Sequence, residues 1–280
     1  MSAPILDNHV HLEPRIGRNV DAVRDFERLG GTHLIVSHLP YSEVRVNSAE
    51  DFRSSYDVTV STVERINSET GVKAFATVGP YPVELLGFER RLGLEAGKDM
   101  MIAGMDIAAE FVREGKALAI GEVGRPHFPV PEDVWKASNE ILLHGMRLAQ
   151  EVDCAIVLHT ESGTPRTMVE LAEMADSVGL DRGRVVKHYS PPAVLPEENS
   201  GLMPSVLAGK EAVQEALSKG TRFMMETDFL DDPRRPGAVL AITTVPKRTK
   251  TLIERGQMTE EQAYVIHRDN PSRTYGPAFG

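Results

Sequence analysis

Residues 4–11 of the chain read PILDNHVH, an apolar run that leads directly into two histidines. The run predicts a strand over residues 4–8. Residues i and i+2 of a strand point to the same face, so His9 and His11 project together, about 7 Å apart along the strand. Two converging imidazoles suit Zn, Mn, Fe or Ni better than Mg or Ca. Taken alone, the pair leaves open a metal site or two half-buried histidines.

The composition indicates an ordinary globular protein without a broad basic surface. The chain has 280 residues, 41% of them hydrophobic and 26% charged, which allows one large domain or two small ones. The net charge of −10 argues against broad electrostatic binding to nucleic acid or to an anionic membrane, although a local basic pocket is compatible with it. Cys154 is the single cysteine, so we expect no disulfide framework.

The N-terminal residues run straight into the first strand, so we expect no signal peptide. No apolar run approaches the roughly 20 residues that a membrane-spanning helix needs. These features predict a cytoplasmic protein with no membrane partner.

Short apolar runs alternate with longer amphipathic ones, which predicts a parallel sheet built from βαβ units. Eight strands fit a single (β/α)8 TIM-type barrel over residues 1–280, an α/β fold. An open doubly wound sheet is the alternative. Residues 84–116 are interpreted as two helices, one of them an insertion. The predicted strands are 4–8, 33–37, 73–78, 117–122, 155–159, 185–188, 202–207 and 221–227. The predicted helices are 20–29, 49–68, 131–152, 167–178, 211–218, 247–256 and 259–269.

Functional residues of such a barrel lie at the carboxyl ends of its strands. Beyond the histidine pair, four predicted strands end in further candidate ligands: Glu122, His159, His188 and Asp228. Six such groups exceed what one metal with an open position needs, and they suit two metals about 3.5–4 Å apart. Glu122 is placed to bridge the ions. Asp228 is placed to ligate one ion and to accept a proton from the attacking water, which the metals would convert to hydroxide.

The motifs at these positions resemble those of the amidohydrolase superfamily, and most closely its TatD-related branch, in a form similar to an archaeal-type subgroup. They are NHVHL at 8–12, GEVG at 121–124, LHT at 158–160, HYS at 188–190 and ETD at 226–228. The resemblance covers nearly the whole chain. It implies metal ligation by His9, His11, Glu122, His159, His188 and Asp228, and hydrolysis of phosphodiesters in DNA. The chain departs from the typical pattern at 125–128, RPHF, and at 189–192, YSPP, in loops on the substrate side.

Three residues just beyond the ligand-bearing strands are candidates for binding an anionic substrate group: Arg125, His127 and Arg166. Arginine binds phosphate or carboxylate through two parallel hydrogen bonds. A surface salt bridge is the alternative for each of them. One of Arg234 and Arg235 is a candidate for the same role.

The sequence therefore predicts a metal-dependent hydrolase that acts on ester bonds, with Asp228 and Glu122 as its catalytic residues and one or two divalent ions (Zn, Mn, Mg, Fe or Ni) as cofactor. The first hypothesis is a TatD-like phosphodiesterase or deoxyribonuclease acting on DNA ends. The alternative is a hydrolase of a small lactone, amide or phosphoester on the same site. A non-enzymatic protein with a degenerate site is disfavoured because all six ligands are present. The oligomeric state stays open.

Overall fold

A computed structural model describes residues 3–41 and 44–279, and within these ranges the strands are all parallel and alternate with helices. The strands are Leu6–His11 (β1), His33–Ser37 (β2), Lys73–Val78 (β3), Ala119–Gly124 (β4), Ala155–His159 (β5), Val185–Ser190 (β6), Met203–Leu207 (β7), Met224–Glu226 (β8) and Phe229–Leu230 (β9). The helices are Val20–Arg28 (α1), Ala49–Glu69 (α2), Glu84–Leu92 (α3), Leu94–Arg113 (α4), Glu132–Glu151 (α5), Pro165–Val178 (α6), Pro196–Asn199 (α7), Lys210–Lys219 (α8), Thr244–Glu254 (α9), Glu260–Tyr264 (α10) and Asn270–Tyr275 (α11).

The sheet follows chain order from β1 to β8 and closes on itself through β9. β8 pairs with β7. After Thr227 and Asp228 the chain forms β9, which pairs with β1. The backbone N–H of Asp228, between β8 and β9, donates to the carbonyl of His9 at 3.0 Å. The predicted α/β (β/α)8 TIM-type barrel is thereby confirmed.

Two apolar layers hold the barrel together. The strands bury one face inside it, through residues such as Leu6, Ile35 and Val157, and the opposite face packs against the surrounding helices. Tyr275 and Phe279 of the C-terminal segment pack on the interior cluster. Because Lys73 at the start of β3 donates to the carbonyl of Ala278, this segment covers the amino-terminal end of the barrel. The carboxyl ends of the strands are left for the functional site.

Several element boundaries differ from the predicted ones. β1 continues through His11. The predicted strand 221–227 is shorter, since only Met224–Glu226 pair, and β9 follows beyond its predicted end, after Asp228 adopts a left-handed conformation with φ 48°. The predicted helix 167–178 begins at Pro165, since proline suits the first helical position and Thr164 caps the helix by accepting from the N–H of Thr167 at 3.2 Å.

The C-terminal part of the prediction also needs correction. The predicted helix 259–269 consists of α10 and a π-helical turn over Val265–Asp269.

The predicted helices at 84–116 are present as α3 and α4. No helix in residues 3–41 or 44–279 is long and apolar enough to cross a membrane.

Candidate metal centre

Six side chains from strands around the barrel converge at its carboxyl end. β1 contributes His9 and His11, whose Nε2 atoms lie 3.1 Å apart. The others come from four further places: Glu122 on β4, His159 on β5, His188 on β6 and Asp228 between β8 and β9. These are the six metal ligands that the sequence predicts, and the structure brings all of them together.

Glu122 lies between two pairs of histidines. Its Oε2 is 3.1 Å from Nε2 of His9 and 3.2 Å from Nε2 of His11. Its Oε1 contacts Nδ1 of His159 and lies 4.0 Å from Nε2 of His188. One carboxylate oxygen therefore faces each pair, which is the arrangement required of a group that bridges two ions.

Asp228 completes the β1 side of the centre. Its Oδ1 lies 3.4 Å from Nε2 of His11 and 3.9 Å from Nε2 of His9. The left-handed backbone conformation of Asp228 is uncommon for a residue with a side chain, and it occurs at the point where the carboxylate enters the site. Such conformations cluster at functional sites.

Ser37, at the end of β2, orients both histidines of β1. Its carbonyl oxygen is 3.1 Å from Nδ1 of His11, and its hydroxyl is 3.1 Å from Nδ1 of His9. A carbonyl can only accept, so Nδ1 of His11 carries a proton, and Nε2 would offer its lone pair to an ion that displaces the second proton. Ser37 was not singled out in the sequence, although its position at the end of a strand was an available signal.

A second orienting contact joins His188 to a buried carboxylate. Its Nδ1 is 2.9 Å from Oε1 of Glu226, a buried carboxylate on β8. This contact favours a proton on Nδ1 and leaves Nε2 facing Glu122. The sequence hypothesis that Glu226 orients a histidine fits this geometry.

The donor set fits a divalent metal. Nδ1 of His159 and Nδ1 of His188 are buried and form no well-directed hydrogen bond among the described residues, although each lies against a carboxylate oxygen, of Glu122 and of Glu226 respectively. Imidazole nitrogens and carboxylate oxygens form three groups whose candidate ligand atoms all lie within 4.8 Å of one another, and two of these together comprise all six predicted ligands: His9, His11 and Asp228, and Glu122, His159 and His188. A buried polar atom without a partner is costly, and a cation between these groups would satisfy it.

The charges of the site are strongly coupled. Burial alone would raise the pKa of Glu122, but the imidazoles of His159 and His11 hold it well below its usual value. Burial opposes the charged form of His11, yet the carboxylates of Asp228 and Glu122 outweigh burial and raise its pKa to about 10. Both carboxylates thus hold positive charge in a buried place, as a cation site requires.

A cavity of about 340 Å³ opens above the centre. Five of the six candidate ligands line it, all except His9, and its outer part carries charges of both signs. That outer part includes Glu13, Tyr81, Asp232, Arg234 and Arg235.

The three residues predicted to bind an anionic substrate group lie in different places: one is buried among the helices, one is exposed on a helix and one contacts the centre. Arg125 is buried with its guanidinium held by Glu161 and Asn139, between the helices of the outer layer. Arg166 is exposed on α6 and pairs with Glu170 one turn along. Neither lines the cavity, because local carboxylates on the helix side bind both. His127 does reach the site, through a 2.7 Å contact between its Nδ1 and Nε2 of His159.

Besides Ser37, two further contributors to the site were missed in the sequence. Tyr81 lines the cavity with its hydroxyl 3.5 Å from Nε2 of His159. Asp7 is fully buried and accepts from the N–H and the hydroxyl of Thr227, at 2.9 and 2.6 Å, which ties β1 to the segment that carries Asp228. Tyr81 follows β3 at the same edge of the barrel as the ligands, and this position was the available signal.

Comparisons with known proteins identify the family of this chain. Residues 6–276 match the family described as TatD related DNase. An uncharacterized protein of Methanocaldococcus jannaschii is 42% identical over 276 residues, which cover 98% of this chain and 96% of that one.

Two solved structures share the fold along nearly their whole length. The TatD-like protein of Archaeoglobus fulgidus superposes with a TM-score of 0.63 at 19% identity, covering 96% of this chain and 99% of that one. The phosphotriesterase homology protein of Escherichia coli, solved with phosphate in its active site, gives 0.61 at 14% identity, covering 98% and 99%. The match over residues 6–276 assigns this chain to the TatD-related DNase family of metal-dependent hydrolases.

Proposed function

We propose that this protein is a divalent-metal-dependent phosphodiesterase that acts on nucleic-acid ends, a deoxyribonuclease of the TatD type. The observation that carries the proposal is the position of Glu122, with one carboxylate oxygen toward His9 and His11 and the other toward His159 and His188. Such a bridging carboxylate is characteristic of two-metal hydrolytic sites.

The ligands divide into two groups around Glu122. His9, His11 and Asp228 would hold one ion, and His159 and His188 would hold the other. Bound divalent ions polarise a phosphoryl oxygen and lower the pKa of water, which makes neutral-pH hydrolysis accessible. Zn, Mn, Mg, Fe and Ni are the candidate metals.

Asp228 is the group that would take up the proton of the attacking water. Burial favours its neutral form, but the imidazoles of His11 and His188 outweigh burial and lower the pKa of Asp228, so it is an unprotonated base at neutral pH. It lines the cavity and is partly exposed, in contrast to the fully buried Glu226. A base must reach the proton that it accepts, and this position meets that requirement.

Arg235 is the candidate contact for a substrate phosphate beyond the scissile one. It lines the cavity, and its guanidinium forms no direct ion pair in residues 3–41 and 44–279, although it helps to lower the pKa of Asp232. Its neighbour Arg234 pairs with both oxygens of Asp232, at 2.9 and 3.2 Å. An unpaired arginine is available for bidentate phosphate binding, and a paired one is not.

The size of the cavity favours a chain end over the middle of a duplex. Its volume of about 340 Å³ lies at the lower end of the roughly 300–1,000 Å³ typical of small-molecule sites. Glu13 and Asp232 add negative charge at the mouth. These acids keep a second candidate open, a hydrolase of a small ester, lactone or amide with one anionic group.

A substrate panel on metal-loaded protein tests the proposal. It should contain single-stranded and duplex DNA with free ends, circular DNA, a generic phosphodiester, a phosphomonoester and a lactone. We expect turnover of linear DNA and of the generic phosphodiester, with circular DNA intact. Turnover of the lactone alone would instead support the second candidate.

The variant Asp228→Asn tests the proposed proton acceptor, and Asp232→Asn is its matched control. The folded protein should keep its unfolding midpoint and lose hydrolysis by orders of magnitude, whereas Asp232→Asn, at the mouth of the same cavity, should retain most of the rate. Wild-type turnover in Asp228→Asn would exclude the proton-accepting role. The cytoplasmic location stays a prediction, which cell fractionation would test.

A further inference from the structure

His127 lies at the rim of the centre and contacts one of its histidines. It belongs to the connection between β4 and α5, and its side chain is exposed. Its Nδ1 is 2.7 Å from Nε2 of His159, and the rings meet edge to face with centroids 4.9 Å apart. Among the described residues, the hydroxyl of Tyr81 also lies near Nε2 of His159, but at 3.5 Å it is at the limit of a hydrogen bond.

The direction of this hydrogen bond follows from the role of His159. Its Nδ1 faces Glu122, so Nδ1 must keep its lone pair if His159 is to bind an ion. A neutral imidazole carries one proton, and the proton must then sit on Nε2. Nε2–H therefore donates, and Nδ1 of His127 accepts. The contact fixes both the tautomer and the orientation of the His159 ring.

Contacts of Arg125, two residues before His127, fix the position of the backbone that carries the His127 side chain. The N–H of Arg125 donates to the carbonyl of His159 at 2.9 Å, which joins the end of β4 to the end of β5. The Arg125 guanidinium lies over the ring of Trp135 at 4.5 Å and is bound by Glu161. Arg125 thus acts at a distance from the substrate, as the anchor of the loop that carries His127.

The remaining histidines of the centre are oriented by groups of other kinds. Ser37 serves His9 and His11, and the buried carboxylate of Glu226 serves His188. For His159, the group in the corresponding place is the exposed imidazole of His127. We propose that His127 is the positioning residue for His159, an inference that rests on the proposed metal centre. Groups that orient metal ligands typically contribute a factor of about 10–100 in metal affinity.

Zinc binding, measured without any substrate, tests this role. Three variants should be compared with wild type by competition with a chromogenic chelator: His127→Leu, His127→Asn and His144→Leu. Leucine removes the acceptor, whereas the asparagine amide oxygen can replace Nδ1. His144 is a surface histidine that pairs with Asp106 on the helix layer and serves as the control.

We expect His127→Leu to weaken binding of one of the two ions by about 10–100-fold. His127→Asn should recover most of that loss, and His144→Leu should bind as wild type does. Equal affinity in His127→Leu and wild type, or an equal loss in the leucine and asparagine variants, would overturn the proposal.

An NMR measurement on unaltered protein removes any dependence on folding of the variants. Two-bond ¹H–¹⁵N spectra of the zinc-loaded protein should show the proton of His159 on Nε2; a proton on Nδ1 would overturn the proposal. Failure of the proposed function is separately visible, because zinc binding with these properties in a protein that hydrolyses no phosphodiester would refute the substrate assignment alone. Wild-type protein that binds no metal would refute both.

Discussion

Oε1 of Glu226 lies 2.9 Å from Nδ1 of His188, and the same oxygen accepts from the backbone N–H of Tyr189 at 2.8 Å. One buried carboxylate thereby holds a candidate ligand and the next residue of β6. A negative charge behind the imidazole also makes Nε2 a stronger donor to a cation.

Glu226→Gln should keep the fold and weaken the centre. The amide oxygen can still accept from Nδ1 of His188, but the charge is gone, so we expect zinc affinity to fall by about 10–100-fold. Chelator competition measures this. Glu140→Gln, which removes a carboxylate from an exposed pair with Lys98, should bind zinc as wild type does. Unchanged affinity in Glu226→Gln would contradict the orienting role.

Neighbouring arginines at the mouth should differ in their effect on substrate binding. Arg235→Gln removes a guanidinium that lines the cavity and forms no direct ion pair within residues 3–41 and 44–279. We expect KM for linear DNA to rise about tenfold or more with kcat little changed, since a hydrogen bond to a charged group contributes about 1.5–3 kcal/mol. Arg234→Gln, whose guanidinium already pairs with Asp232, should change KM far less. Steady-state kinetics distinguish the two, and the reverse order would contradict the assignment.

Gly124 should not tolerate a side chain. Its φ of 142° is accessible to glycine, and a Cβ at this position would collide with the carbonyl oxygen of His159. We expect Gly124→Ala to lower the free energy of unfolding by about 1–3 kcal/mol or more, which urea denaturation measures. Gly87→Ala is the control, because nothing lies near its Cβ position inside α3, and it should be neutral or stabilising by up to about 1 kcal/mol.

His267 should make stability depend on pH. It is buried, with Nε2 2.9 Å from the hydroxyl of Thr249 and Nδ1 3.1 Å from the carbonyl of Leu6, and burial lowers its pKa to about 4. Between this value and the unfolded pKa of about 6.5, the unfolded chain binds the extra proton. Stability is therefore fully present above pH 6.5 and is lost as the pH falls toward 4.

The contribution of His267 over that window is at most about 3 kcal/mol. His267→Gln should flatten the dependence of the free energy of unfolding on pH between about 6.5 and 4, in urea titrations of chelator-treated protein. The same slope in variant and wild type would show that other groups cause it.

The barrel and the convergence of the six candidate ligands could be predicted because both follow from local rules. Apolar periodicity locates parallel strands, and side chains at their carboxyl ends meet at one edge of the barrel. His9, Glu122 and Asp228 are far apart in sequence, yet they require no knowledge of loop conformation beyond the order of the strands.

The errors concern two arginines, Arg125 and Arg166, whose long side chains bind carboxylates outside the cavity. The direction of Arg125 depends on Glu161 and Trp135, which approach it only in the folded protein, and no local pattern distinguishes an arginine that faces the cavity from one that faces the helices. Ser37 and Asp7 were overlooked for a related reason. Their importance lies in which hydrogen bond they make, and that is set by tertiary packing.

The central claim is that Glu122 joins two metal sites. Crystals grown with Mn²⁺ and measured for anomalous scattering test it most directly. The account predicts two anomalous peaks about 3.5–4 Å apart, one beside His9, His11 and Asp228 and the other beside His159 and His188, with Glu122 between them. A single peak away from Glu122, or no peak at saturating Mn²⁺, would contradict it.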